Sequence, residues 1–390
     1  MGDVVLTKNE EQVLIKSYLD SNELEKFELS DEDFSFIKGA VVMIIGIGNR
    51  IGRELFGLIR NKGVASFIFV DASEKAMYDV VEALENKPLE SSVHYEIGDI
   101  ADEKWMRSIF EVYKPTVCFS FAARTSVKLS DISPEAFIVT NILGNYNILR
   151  AAADCPSMQV CIFISSEKAN IPSSVYDVTK FCLDFLVRQT ASHFPRIRFG
   201  TLQLVNICST GGSYFLRSLI DGVKTGKPIR LRVIDGQIPK RRFSCPATAA
   251  KLFLRFAAFC RGGHAFGILP SSVAPIDIKS LASLVCKELG VADVEGFAKE
   301  HMSFVDGKGE KVEEVLPDGA YCVPGMPLYL TPPAKVDEKW LWEQINRLII
   351  LSADIKNRDE VMKILYSVRD AAIRGATATN GNGASSTSRQ

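Results

Sequence analysis

This sequence predicts a doubly wound α/β fold, with a parallel sheet covered by helices on both faces. Three observations point there. Apolar runs of strand length alternate with helix-patterned stretches from residue 41 to residue 225. The runs are continuously apolar, as in strands buried on both sides. A glycine-containing turn joins the first run to the first helix, where such folds bind nucleotides.

The elements follow in order. Val41-Val42-Met43-Ile44-Ile45 is the first strand, and a helix carrying Glu54, Leu55, Leu58 and Ile59 follows it. Strand Ser66–Val70 precedes a helix over 74–85, and strand His94–Ile97 a helix over 103–112. Thr116–Phe121 leads to a helix over 134–153, Gln159–Ile164 to one over 176–192, and Phe199–Val205 to one over 213–225. Beyond 225 the pattern turns irregular. Short runs at Ile229–Val233 and Ala265–Leu269 mix with helix-like stretches at 247–260 and 276–289, and a long helical pattern covers 336–373. We therefore divide the chain into an N-terminal helical extension (1–38), a nucleotide-binding domain (39–225), a smaller lobe with the C-terminal helices, interleaved with the sheet (226–375), and a disordered tail (376–390). In the extension, Val13, Leu14, Tyr18, Leu19 and Phe27 outline an amphipathic helix outside the main core. The tail is small and polar and cannot offset its ordering entropy.

The 46 basic residues balance 47 acidic ones, so no global field would hold the chain to nucleic acid. The nine cysteines lie scattered with no CxxC pair, as expected of reduced thiols in a cytoplasmic protein. The four histidines form no ligand spacing, and no metal is expected. No run of about 18 uncharged apolar residues would span a membrane. Apolar helices at the chain ends predict a homo-oligomer.

Gly46-Ile47-Gly48-Asn49-Arg50-Ile51-Gly52 is the nucleotide turn. Glycine lets a pyrophosphate approach the backbone, and the following helix offers its N-terminal amides. Asn49 stands where a third glycine would be comfortable, and is expected to tolerate left-handed backbone. Asp71 closes the second strand about 20 residues on, where a carboxylate binds a ribose diol and repels a 2′-phosphate, favouring NAD over NADP. The plainer reading of Asp71 is a cap on the next helix. Asp99 and Ile100, ending the third strand, suit an adenine contact. Tyr176 and Lys180 fall on one helix face at i and i+4, and a cationic Lys180 there would stabilise a Tyr176 phenolate. Ser165-Ser166-Glu167-Lys168 ends a strand at the carboxyl edge of the sheet, where this fold places its ligands.

These residues resemble the extended short-chain dehydrogenase/reductase family, and within it the polysaccharide-biosynthesis (CapD-like) group of UDP-N-acetylglucosamine 4,6-dehydratases. The family's strand-end Ser-Thr-Asp-Lys-Ala appears as Ser165-Ser166-Glu167-Lys168-Ala169, and its Tyr-x-x-x-Lys as Tyr176 and Lys180. Ala122-Ala123, Asn141 and Leu143-Gly144-Asn145 match the stretch around the fourth strand. Asn206, Ser213, Arg241-Arg242-Phe243 and Gly309-Glu310-Lys311 match the sugar-nucleotide segments. Asn49, Thr125-Ser126 and Gly307 depart from the family pattern.

The resemblance implies a Rossmann-type sheet holding NAD through Gly46, Gly48, Asn49, Arg50, Ile51, Gly52, Asp71, Asp99, Ile100, Ala122, Ala123, Asn141, Tyr176 and Lys180. Asn206, Ser213, Arg241, Arg242 and Glu310 would bind the nucleotide sugar, with the two arginines on its diphosphate. The implied reaction passes through a 4-keto sugar with internal hydride return to C6. Tyr176 takes the C4 hydroxyl proton, Ser166 hydrogen-bonds that oxygen, Lys168 or Glu167 removes the C5 proton, and Glu167 protonates the C6 hydroxyl. A sugar-nucleotide 4-epimerase and an NAD-dependent oxidoreductase are alternatives that need no acid for C6. A non-catalytic binding protein on the same scaffold would account for the departures, but not for an intact Tyr176/Lys180 pair.

Overall fold

The computed structural model describes residues 15–85, 89–208, 214–307 and 310–377. Nine strands form one sheet: β1 (Val41–Ile45), β2 (Ser66–Asp71), β3 (Ser92–Ile97), β4 (Val117–Ser120), β5 (Val160–Ser166), β6 (Arg198–Leu204), β7 (His264–Ile268), β8 (Tyr321–Cys322) and β9 (Leu328–Thr331). Their order is β8-β9-β7-β6-β5-β4-β1-β2-β3. β1 to β7 pair in parallel, β9 runs antiparallel to β7, and β8 antiparallel to β9. The strand order reverses between β1 and β4, which opens a crevice at their carboxyl ends.

Alternate side chains of each central strand feed two cores. Met43, Ile45, Ile68, Val70, Cys118, Cys161 and Phe163 face helices Glu103–Tyr113, Asn145–Asp154, Val175–His193, Glu338–Leu351 and Arg358–Thr377. Val42, Ile44, Phe67, Phe69, Val117, Phe119 and Ile162 face helices Arg50–Ile59, Glu74–Glu85 and Pro246–Phe259. A third cluster around Leu219, Ile220, Leu231, Phe243, Leu281 and Val285 is the core of the smaller lobe.

Three sequence expectations are corrected. The helix expected over 9–27 is a five-residue helix, Lys16–Asp20, and a 3₁₀ turn, Glu23–Lys26; residues 9–14 lie outside the described residues. The segment does not stand apart. Ile15, Tyr18 and Leu19 pack into the lobe, while Leu24, Phe34 and Ile37 enter the sheet core. The helix expected over 134–153 is broken into Pro134–Ile138, a π turn Val139–Gly144, and Asn145–Asp154. The long C-terminal pattern is two helices that fold back on each other. Ala376 and Thr377 end the second of these, and residues 378–390 lie outside the described residues. Among the described residues no helix is long and apolar enough to cross a membrane, and no group of His, Cys, Asp and Glu could hold a metal ion.

Candidate active site

The turn after β1 is built around contacts that only glycine permits. Gly46 has φ +79°, and a Cβ there would lie 2.9 Å from the Ala122 nitrogen. A Cβ on Gly48 would lie 2.6 Å from Ala76 Cβ, and one on Gly52 3.2 Å from the Gly46 carbonyl. Asn49 does not use left-handed backbone, contrary to expectation. At φ −63° and ψ 140° it is the N-cap of helix Arg50–Ile59, and its side chain accepts from the Ile51 N–H at 2.9 Å. The left-handed position is Gly46. The cap engages the Ile51 amide, the Ile51 side chain is core, and Arg50 turns back to Glu54 at 2.9 Å. Asp71 ties the turn to the end of β2: one oxygen accepts from Gly48 N–H at 2.8 Å and the other from Ser73 N–H at 2.9 Å, while Ser73 rather than Asp71 caps the next helix, its Oγ accepting from Ala76 N–H at 3.2 Å.

Two further residues expected at the cofactor are buried. Ile100 is buried, with Asn147 donating to its carbonyl at 3.0 Å. Asn141 is fully buried on the π turn. Its side chain accepts from Arg124 N–H at 2.8 Å and donates to the Arg124 carbonyl at 3.0 Å and to Thr179 Oγ1 at 2.9 Å. It therefore clasps the loop after β4, which carries Ala122 and Ala123, against the Tyr176 helix. Asp99 accepts from Ala101 N–H at 2.9 Å and closes the turn after β3.

β5 delivers Ser166, Glu167 and Lys168 to the crevice, and helix Val175–His193 delivers Tyr176 and Lys180. Ser174 and Asp177 form a capping box that fixes where this helix starts. The Ser166 side chain hydrogen-bonds the buried Tyr176 phenol. Burial pushes that phenol up, the charges of Asp177 and Asp184 add to the rise, and Ser166 opposes it. Lys180 is 1% exposed and donates to the Ile164 carbonyl at 3.0 Å. Burial lowers it to about 8 against the pull of Asp184. Burial thus favours a phenol at Tyr176, and the Lys180 ammonium turns to the Ile164 carbonyl.

Glu167 is pushed up to about 7, chiefly by burial and then by the charge of Glu314, against the cations of Lys168, Arg242 and Lys311. Lys168 moves the other way from a base. Burial disfavours its ammonium, but Glu314, Asp177 and Glu167 outweigh burial and hold it above its ordinary value. Its Nζ lies 3.0 Å from Glu314 Oε1, which makes Lys168 a paired cation, a form that cannot accept a proton. Glu314, which sequence reasoning missed, also pairs with Lys311. Burial raises Glu314, but Lys168 and Lys311 together hold it down at about 2.

The two arginines expected on a diphosphate are engaged within the chain. Arg241 donates to the Lys311 carbonyl at 2.9 Å and to Glu310 Oε2 at 2.9 Å. Arg242 donates to the Val273 carbonyl at 3.2 Å, the Glu314 carbonyl at 2.8 Å and Glu313 Oε1 at 2.7 Å. Glu310 also takes Arg232, and Asn206 donates through both its N–H and its side chain to the Arg242 carbonyl. Together they bind segment 310–314 to the lobe. Both arginines thus spend part of their donor sets on fastening segment 310–314. Ser213 lies outside the described residues.

A parallel sheet with its glycine turn at the switch point, and a Ser–Tyr–Lys set at the carboxyl edge, define an extended short-chain dehydrogenase/reductase. The chain belongs to the polysaccharide biosynthesis protein family, whose model matches residues 42–321. It is 28% identical over 353 residues to a Methanocaldococcus jannaschii protein described as an uncharacterized membrane protein, covering 86% of this chain and 97% of that one. It is 26% identical over 137 residues to a Campylobacter jejuni UDP-N-acetylglucosamine 4,6-dehydratase (inverting), 34% of this chain and 40% of that enzyme. Its fold matches that of a Streptomyces venezuelae dTDP-glucose 4,6-dehydratase solved with NAD, at TM-score 0.60 and 18% identity, covering 70% of this chain and 87% of that one.

Proposed function

We propose that this protein is an NAD-dependent sugar-nucleotide 4,6-dehydratase acting on UDP-N-acetylglucosamine or a similar nucleoside-diphosphate hexose. The observation that carries the reading is Glu167, a carboxyl titrating near 7 beside a hydrogen-bonded Ser166–Tyr176 pair. An epimerase has no use for such an acid, whereas loss of the C6 hydroxyl requires one. The similarity to the Campylobacter dehydratase supports the same class.

The glycine turn fits a dinucleotide, because Gly46 and Gly48, where a Cβ would strike Ala122, Ala76 or Asp71, keep the backbone close-packed and free of side chains at the start of helix Arg50–Ile59. Gly46, Gly48, Gly52, Asp71, Tyr176 and Lys180 would hold NAD. When bound, it supplies a reversible hydride acceptor with a cationic oxidised ring. Tyr176, a phenol by burial, gives up its proton more readily beside such a charge, and then accepts the proton of the C4 hydroxyl. Ser166 orients the same oxygen. A 4-ketone acidifies the C5–H bond. Lys168, held as an ammonium ion, is no acceptor for that proton but stabilises the negative charge that develops. Glu167 in its ionised form takes the C5 proton and, now protonated, delivers it to the departing C6 oxygen. One carboxyl thus balances the elimination of one water, because the proton that C5 loses is the proton that C6 oxygen gains, and the proton that Tyr176 took from the C4 hydroxyl balances the one C5 must regain in a saturated 4-keto-6-deoxy product. A value near 7 suits a group that must both take and give.

Incubation with NAD and UDP-N-acetylglucosamine is expected to give a product lighter by one water, read by mass spectrometry, with no net NADH. Glu167→Gln keeps NAD binding and loses the product, by about 10²–10⁴ in rate. Wild-type turnover in that variant would remove Glu167 from the chemistry.

A further inference from the structure

Glu314 lies 146 residues from Lys168 in the chain, yet its carboxylate is 7% exposed and meets Lys168 at 3.0 Å. We propose that Glu314 is a positioning residue: it anchors the Lys168 ammonium beside Glu167, so that Glu167 and not Lys168 exchanges protons with the sugar. The proton exchange with a sugar rests on the dehydratase reading; the anchoring of Lys168 rests on its contact with Glu314.

The segment that carries Glu314 is fastened at several points. Glu310 takes Arg232 and Arg241, Glu313 takes Arg242 and Lys240, and the Glu314 backbone carbonyl accepts from Arg242 at 2.8 Å. Fixed in this way, Glu314 reaches the end of β5. Each of its oxygens serves a different lysine, Oε1 for Lys168 and Oε2 for Lys311. A buried carboxylate persists only with such partners. The site then holds two carboxyls in opposite conditions. Glu314 faces two ammonium groups and is ionised. Glu167 faces Glu314 and the phenol of Tyr329, with Lys168, Lys311 and Arg242 as its cations. Lys168 in turn faces Glu314, Asp177, Glu167 and the opposing charge of Arg241. Pairs of titratable groups whose surroundings drive them apart mark acid–base assignments. Here the division depends on a residue that need not touch substrate.

The test reads protonation directly and needs no turnover. Glutamate labelled with ¹³C at the side-chain carboxyl is incorporated, and Glu167→Gln identifies the Glu167 resonance. In the wild type that carboxyl is expected to titrate near 7. In Glu314→Gln its midpoint should fall by about one pH unit or more, because a like charge has gone and Lys168 is released toward Glu167. Lys311→Met, which keeps Glu314 and removes a cation, should move the midpoint upward. Glu314→Asp should restore most of the wild-type midpoint. With UDP-N-acetylglucosamine, Glu314→Gln should lower kcat with little change in KM and shift the pH–rate profile in step with the resonance. An unmoved Glu167 midpoint in a folded Glu314→Gln overturns the proposal. If that variant does not fold, a midpoint that fails to rise in Lys311→Met does the same. If the variants show these shifts but the wild type makes no dehydrated product, the dehydratase reading is refuted while the anchoring of Lys168 by Glu314, and its hold on Glu167, stands.

Discussion

Glu167 combines a function and a cost in one side chain. Its folded value of about 7 lies above the ordinary 4.5, so its protonated form is favoured in the native state. Stability from this group is fully present below about 4.5 and is lost as pH rises through 7. The gap amounts to about 3 kcal/mol at pH 8 and above. Glu167→Gln keeps the shape and cannot ionise. It should therefore match wild type in urea unfolding at pH 4.5 and be the more stable of the two at pH 8, by up to about 3 kcal/mol. Equal stability at both pH values would mean that Glu167 is not strained by burial. A residue that stabilises when neutralised, yet abolishes product, is the pattern of an active-site acid. At this scale Ser166, Glu167, Tyr176 and Lys180 were legible because spacing within one strand end or one helix turn fixes which residues meet. Glu314 was not legible, since its partner is 146 residues away and neither residue stands in a local pattern that names the other.

Elements with a single continuous period were read correctly. Val41–Ile45 and Glu74–Glu85 have the boundaries the apolar pattern gave them. The stretch 134–153 reads as one helix because a π turn adds a residue without disturbing the apolar periodicity enough to notice. That turn is where Asn141 sits, and such insertions often accompany functional sites. Asn141→Ala would remove the partner of the Arg124 N–H and carbonyl and of the Thr179 hydroxyl, all within 3.0 Å. Leaving the two Arg124 groups unpaired should cost about 1–3 kcal/mol in urea unfolding, while the Thr179 hydroxyl keeps its bond to the Tyr176 carbonyl. It should also free the loop carrying Ala122 and Ala123, read as faster amide exchange at 122–126. Unchanged stability and exchange would show that the clasp is replaced by water without loss. The turn at 46–52 teaches the converse lesson. Its glycine spacing was legible, but the part played by Asn49 was not, because capping and left-handed backbone are both plausible for Asn until the dihedrals are known.

The whole molecule depends on its C-terminal helical hairpin more than the sequence implied. The apolar faces that pointed to an oligomer are buried inside the chain: Leu341, Ile345, Leu348, Val361, Ile364, Leu365 and Val368 all join the core beneath the Tyr176 helix. Trp342 packs edge-on against Tyr146 with ring centroids 5.7 Å apart, and Arg358 makes a two-pronged pair with Glu135 at the start of the interrupted helix. At roughly 1.5–3 kcal/mol for each such side chain, the seven contribute about 10–20 kcal/mol of gross burial. A domain's net stability is about 5–15 kcal/mol, so the hairpin cannot be spared. A chain ending before Val336 should bind an apolar dye such as ANS and lose its cooperative urea transition, even though every strand of the nine-stranded sheet and all the proposed site residues remain. Were the shortened chain to unfold at the midpoint of the full one, the hairpin would be an appendage. The face of the Tyr176 helix away from the crevice would then have to be stable without cover, which the apolar burial there makes untenable.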